Sequence, residues 1–125
     1  MHLDTNMLIG AMDVSSPSRS RVLQWLRAGE PLSVCALAWS EFLCGPVSPS
    51  DEARCLGILE HIEPVDAATA ALASRFFNAT GRRSCSLADC IIAAAAVLAN
   101  QPLATENARA FEPFIPFGLN VDRPE

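Results

Sequence analysis

Apolar and polar positions change their period repeatedly along these 125 residues, and each change marks an element. MHLD reads as a short strand over residues 1–4, and the apolar positions of 7–12 predict a first helix. In SPSRSRVLQWLRAG, Ser16 offers an N-cap, Pro17 fits the first turn and Gly29 is a stop. Val22, Trp25 and Leu26 share one face of that helix. PLSVCA (31–36) has the unbroken apolar character of a buried strand. LAWSEFLCG (37–45) predicts a helix ended by Gly45, PVSPS a loop, and Ser50 the cap of DEARCLGILEHI. IEPV (62–65) reads as a short extended piece. Asp66 caps AATAALASRFFNATG, which stops at Gly81, and RRSC is an exposed turn. Ser86 caps LADCIIAAAAVLAN, apolar nearly all round and therefore expected at the centre. PLAT (102–105) predicts a strand, NARAF (107–111) a short helix and IPFGLNV (115–121) a last extended segment. Strands alternating with helices imply a parallel sheet covered on both faces.

Composition narrows this picture. Half the residues are hydrophobic, which argues against disorder. One domain over residues 1–125 is the simplest expectation. No apolar run reaches the ~18 residues of a membrane span; residues 87–99 come closest and hold Asp89. The N-terminus lacks the basic-then-apolar pattern of a secretory signal. Five cysteines, an odd number with no CxxC pair, fit reduced thiols and a cytoplasmic location. The net charge is −5 and all nine basic residues are Arg. That excludes binding of nucleic acid by bulk charge, while leaving room for a local Arg patch or an acidic site that meets phosphate through a metal.

Three acids sit where water is not expected. Asp4 follows the first strand inside an apolar run. Glu41 is the only charge in LAWSEFLCG, and Asp89 begins the most apolar helix. Each has a plain structural role open to it: Asp4 as a helix cap, Asp89 in a capping box with Ser86, Glu41 on an exposed helix face. In a parallel α/β sheet, strand C-termini and helix N-termini converge at one edge, which would bring Asp4 and Asp89 together and let Glu41 join them. Two carboxylates ~4 Å apart repel by about 4 kcal/mol at an effective dielectric near 20. Three therefore need protons or a cation, and an oxygen-only donor set selects Mg²⁺ or Mn²⁺. Such a site suits phosphodiester hydrolysis.

LDTNMLIG, WSEFLCG, LADCIIAAAAVL and LATENARAF, in this order, resemble the PIN-domain ribonucleases, especially the VapC-type toxins of bacterial toxin–antitoxin pairs. The resemblance spans essentially the whole chain. It implies a Rossmann-like three-layer α/β/α sandwich with a short, mostly parallel central sheet. It also implies a Mg²⁺ or Mn²⁺ pocket, cleavage of single-stranded or looped RNA, a small antitoxin partner and a homodimer. By matching motifs, Asp4, Glu41 and Asp89 take the metal-site acids, and Thr5 and Asn6 the polar positions beside the first. The fourth motif departs from the wider pattern. After Thr105, Asn107 stands where many members have an acid, and either Asn107 or the adjacent Glu106 is left to fill that place; Asn107 also suits a helix cap. The apolar faces of VLQWL and AWSEFL suit a dimer or antitoxin contact.

Other groups carry weaker signals. Arg82 and Arg83, before the Asp89 helix, are candidates for RNA phosphate contact, with Arg19, Arg21 and Arg109 comparable. His2 and His61 have no spacing that supports a catalytic triad. A haloacid-dehalogenase-like phosphatase also opens with an Asp after its first strand. It wants a second Asp two residues on and a later Lys; Asn6 and the absence of Lys disfavour it. A catalytically silent PIN module that binds a protein or RNA partner is the rival from another class.

Overall fold

The structure, a computed structural model, describes residues 1–80 and 86–122. Arg82 and Arg83, the proposed phosphate contacts, lie outside the described residues, as does Gly81.

Capping side chains set most element boundaries. Strand β1 (His2–Leu3) ends at Asp4, whose carboxylate caps α1 (Thr5–Ala11). The helix thus starts two residues before the apolar run that predicts it, because the cap and not the hydrophobic pattern fixes its first turn. Ser16 caps α2 (Pro17–Arg27), and Gly29 follows it at φ +74°, a conformation glycine adopts without a Cβ clash. Strand β2 (Ser33–Cys35) leads directly into α3 (Ala36–Cys44), with Gly45 at its end. Helix α4 (Pro49–Ile58) is capped by Ser48, not Ser50. The expected loop PVSPS is therefore half helix. Pro49 occupies the first helical position, where its missing N–H costs nothing, and Ser48 Oγ accepts from the Asp51 amide at 3.1 Å.

Strand β3 (His61–Glu63) precedes α5 (Ala67–Ala79), capped by Asp66, and Ser86 caps α6 (Leu87–Leu98). Strand β4 (Leu103–Ala104) and α7 (Ala108–Phe111) follow. The expected extended piece IPFGLNV is mostly something else. A 3₁₀ turn runs over Glu112–Phe117 and ends at Gly118 (φ +105°), leaving only β5 (Val121–Asp122) extended. Two prolines deny the segment regular backbone donors, and the turn carries Phe114 into the core, stacked on Phe76 at 5.3 Å.

The sheet order is β3-β2-β1-β4-β5, and all four strand pairings are parallel rather than mostly so. His2 pairs with both Ser33 and Leu103, so β1 is the centre of the sheet. Parallel neighbours need helical crossovers, which cover both faces and give the three-layer α/β/α sandwich. Leu3, Met7, Leu8, Val34, Phe42 and Leu103 are buried between the layers. Each contributes about 1.5–3 kcal/mol on burial. The alanines at 93–96 are buried as well, and α6 packs along α5 and against β2, the central place its composition predicts.

One consequence of this order positions the site. The chain moves from β1 to β2 on one side and returns to place β4 on the other. The C-terminal ends of β1 and β4 therefore flank a topological switch point, where open α/β sheets bind their ligands.

Candidate active site

Asp4 leaves β1 at that switch point and Thr105 leaves β4 beside it. The Asp4 amide donates to the Ala104 carbonyl at 3.1 Å, continuing the ladder by one residue. Asp4 Oδ1 accepts from the Met7 amide at 2.8 Å, and Oδ2 accepts from Thr105 Oγ1 at 2.5 Å. The residue is 4 % exposed. Burial pushes its carboxyl above the usual range, against the opposing pull of the Thr105 and Met7 bonds, and the nearby charges of Asp89 and Glu106 push it further. The capping role open to Asp4 is real, but it employs one oxygen and does not account for the neighbouring acids.

Asp89 lies in the first turn of α6 and is half-buried. Its amide donates to Ser86 Oγ at 3.2 Å. Burial raises its carboxyl; the Ser86 amide and hydroxyl oppose that, and the charge of Glu41 adds to it. Glu41 on α3 is exposed, a correction to the expectation that it avoids water. It is nonetheless tied to the site, because Thr5 Oγ1 donates to Glu41 Oε1 at 2.7 Å.

The acids thus form an electrostatic chain. Asp4 feels Asp89 and Glu106, and Asp89 feels Glu41. Ion pairs among the described residues use other acids: Glu30, Asp51, Glu63 and Asp122. The negative charge at the switch point is therefore uncompensated from within the described chain. No three His, Cys, Asp or Glu side chains among the described residues converge tightly enough to chelate one ion as they stand. Glu41 stands at the far end of the chain of couplings, exposed and held by Thr5. The donor chemistry nonetheless fits a hard divalent cation, with oxygen ligands and excess negative charge in a partly desolvated edge.

The fourth motif divides its residues. Thr105, buried, is the hub: its hydroxyl donates to Asp4 and accepts from the Asn107 amide at 2.9 Å. Asn107 stands at the N-cap position of α7 but makes no side-chain cap bond, so capping does not explain it. Like Asn6, it is exposed. Glu106 turns away toward α2, where its Oε1 accepts from Ser16 Oγ at 3.3 Å and from Ser18 Oγ. Ser18 is buried, a residue the sequence reading passed over. Its spacing of four from buried Val22 puts both on one helix face, which is the signal that finds it. Gly10 permits the arrangement: a Cβ there would lie 2.8 Å from both Ser16 Oγ and Ser18 Cβ.

The histidines stand apart from this chemistry. His2 is buried in the sheet with Nδ1 3.1 Å from Ser33 Oγ, and His61 meets Glu63 at 3.4 Å on the edge strand. Among the described residues no helix is long and apolar enough to cross a membrane.

A sequence profile described as the PIN domain matches residues 1–113. Solved structures share the fold over nearly the whole chain. VapBC2 from Rickettsia felis, bound to a DNA fragment from its promoter, matches with a TM-score of 0.74 at 16% identity, covering 99% of this chain and 98% of that one. FitAcB from Neisseria gonorrhoeae matches at 0.71 and 21% identity, covering 98% and 96%. DNA-bound VapBC from Salmonella typhimurium matches at 0.72 and 22% identity, covering 97% and 95%. A comparison with curated protein sequences gave no match.

Proposed function

This chain belongs to the PIN-domain family, and on that footing we propose that it is a metal-dependent endoribonuclease acting as the toxin of a toxin–antitoxin pair. One observation carries the reading: buried Asp4 sits at the switch point, coupled to Asp89 and Glu106, with no cation from the described residues to offset them. Asp4, Asp89 and Glu41 would hold Mg²⁺ or Mn²⁺. When bound, such an ion supplies Lewis-acid stabilisation of phosphate charge and a more acidic water for in-line attack.

The chain's own part is positional. Thr105 and the Met7 amide fix the two oxygens of Asp4, so this carboxylate is preorganised. Thr5 ties Glu41 to the edge, and Ser86 orders the turn that carries Asp89. Asn6 and Asn107 are exposed polar groups at the same edge, available to substrate phosphate or water. Arg82 and Arg83 precede α6 in sequence and remain candidates for phosphate contact.

The partners inferred are an RNA substrate, a small antitoxin and a second copy of the chain, with the cytoplasm as the site of action. The likeness in fold to a toxin–antitoxin complex from Klebsiella pneumoniae supports the antitoxin. On α3, half-buried Trp39 and exposed Leu43 offer apolar surface for such a contact. Induced expression in a bacterial host, followed by sequencing of RNA ends, tests the reading. Growth arrest should accompany new RNA ends at defined sites, and Glu41→Gln should remove both. Arrest with an unchanged set of RNA ends would count against a ribonuclease.

A further inference from the structure

Beside the acid edge, between the start of α2 and the β4–α7 loop, lies a cavity of about 500 Å³. Asp13, Ser15, Ser16, Ser18, Arg21 and Glu106 line it, with Pro17 as an apolar wall. Its volume lies in the range of small-ligand sites. Glu106 links it to the acids, since its charge reaches Asp4 and its neighbour Thr105 bonds Asp4 directly.

The cavity is badly suited to a phosphate. Arg21 is the one cation among its lining residues, and its guanidinium is already engaged. It pairs with Asp122 at 2.6 Å and lies over the Trp25 ring, 5.1 Å from the centroid. Asp13 and Glu106 leave the walls net negative. Both carboxylates are held in place by serines, each through one oxygen. Asp13 Oδ1 accepts from the Ser15 amide at 3.0 Å and its hydroxyl at 2.7 Å. Glu106 Oε1 accepts from Ser16 and Ser18. The second oxygen of each takes no hydrogen bond from the described residues. The cavity therefore offers two anchored acceptors and an apolar wall, and it calls for a neutral body with N–H donors on one edge.

We propose that this cavity is a nucleobase subsite that takes a base flanking the cleaved phosphodiester and prefers bases with an amino donor over uracil. Guanine presents N1–H and N2–H₂ side by side, donors for the open oxygens of the two carboxylates, and adenine and cytosine each present one amino group. Uracil sets its single N3–H between two carbonyls, which the carboxylates repel. The inference rests on the nuclease reading and names the part of the RNA read beside that site.

The test uses the full chain and fluorescently labelled hexaribonucleotides UUXUUU, with X guanine, adenine, cytosine or uracil. Affinity is read by anisotropy in EDTA, where a metal-dependent nuclease does not cut. Guanine should bind at least about fivefold tighter than uracil, the lower end of discrimination for a bidentate base contact. Glu106→Gln, which puts a donor amide beside an acceptor, should shrink that ratio below about twofold, and Ser15→Trp, which fills the cavity, should do the same. Equal affinities for the four bases, no binding of any, or a preference untouched by both variants would overturn the subsite. Equal affinities together with binding of arginine amide would give the cavity to a basic side chain of a protein partner, and so overturn it too. Cleavage in Mg²⁺ is scored separately. Cutting without base preference refutes the subsite alone, whereas preference without cutting refutes the nuclease.

Discussion

Asp89 serves two masters, a helix N-terminus that favours its charge and a half-buried setting that opposes it. Burial raises its carboxyl, the charge of Glu41 adds the smallest push, and the Ser86 bonds do not offset them. Neutralising it should therefore cost nothing in the absence of metal, whereas loss of a mere capping charge costs roughly 0.5–1 kcal/mol. In EDTA, Asp89→Asn should melt at or above the parent. With millimolar Mg²⁺ the parent should gain about 1–3 kcal/mol by linkage and the variant much less. Paired melting curves check this, and a variant that melts lower in EDTA while keeping the parent's Mg²⁺ shift would reduce Asp89 to a cap. His2 gives a second test at this scale. Its imidazole is lowered from 6.5 to about 4, first by burial and then by the charges of the N-terminus and His61. The unfolded chain therefore takes up a proton near pH 6.5 that the folded chain refuses. Stability is intact above that pH and falls as the pH drops toward 4. Between pH 7 and pH 5 the parent should lose about 2 kcal/mol relative to a His2→Phe variant in urea melts. Parallel pH profiles for the two proteins would show that His2 is not held neutral. The burial of Asp4 and the partial burial of Asp89 were legible in the sequence because each charge interrupts an apolar run, whereas Glu41 interrupts one too and is exposed. The burial of His2 and Ser18 was not, because a single polar residue in a short strand or first helical turn leaves no pattern to break.

Helix starts were readable at Ser16, Asp66 and Ser86. The start of α4 was misread, although Ser48 and Ser50 flank Pro49 as Ser16 and Ser18 flank Pro17. Only the requirement that proline sit at the first helical position decides between Ser48 and Ser50. Ser48→Ala should cost about 1 kcal/mol, within the usual range for a lost N-cap, and Ser50→Ala less than about 0.5 kcal/mol. Thermal melts of the two variants check it, and a larger loss at Ser50 would reverse the assignment. The 3₁₀ turn over Glu112–Phe117 was illegible for a different reason. Its prolines rule out a regular helix, and what then bends the segment is the docking of Phe114 on Phe76 and Phe111, a tertiary contact with a distant helix and a neighbouring one.

For the molecule as a whole, strand order is what brings Asp4 against Thr105 and within electrostatic reach of Asp89 and Glu106. Alternating elements in the sequence imply a parallel sheet, but the return of β4 to the far side of β1 is not written in any one segment. That return opens the switch point, sets Thr105 on Asp4, and brings residues 101 positions apart within one hydrogen bond. The same return swings Glu106 onto the serines of α2, so the acid edge and the neighbouring cavity share a wall. The central claim is that the acids at this edge work through a divalent cation on RNA. The direct measurement is cleavage of a labelled single-stranded RNA by the purified chain, freed of any partner, during titration with Mn²⁺ and back-titration with excess EDTA. Cleavage should be absent without metal, rise to saturation with Mn²⁺, stop on chelation and return when metal is restored. Cleavage continuing at full rate in excess chelator would contradict the account.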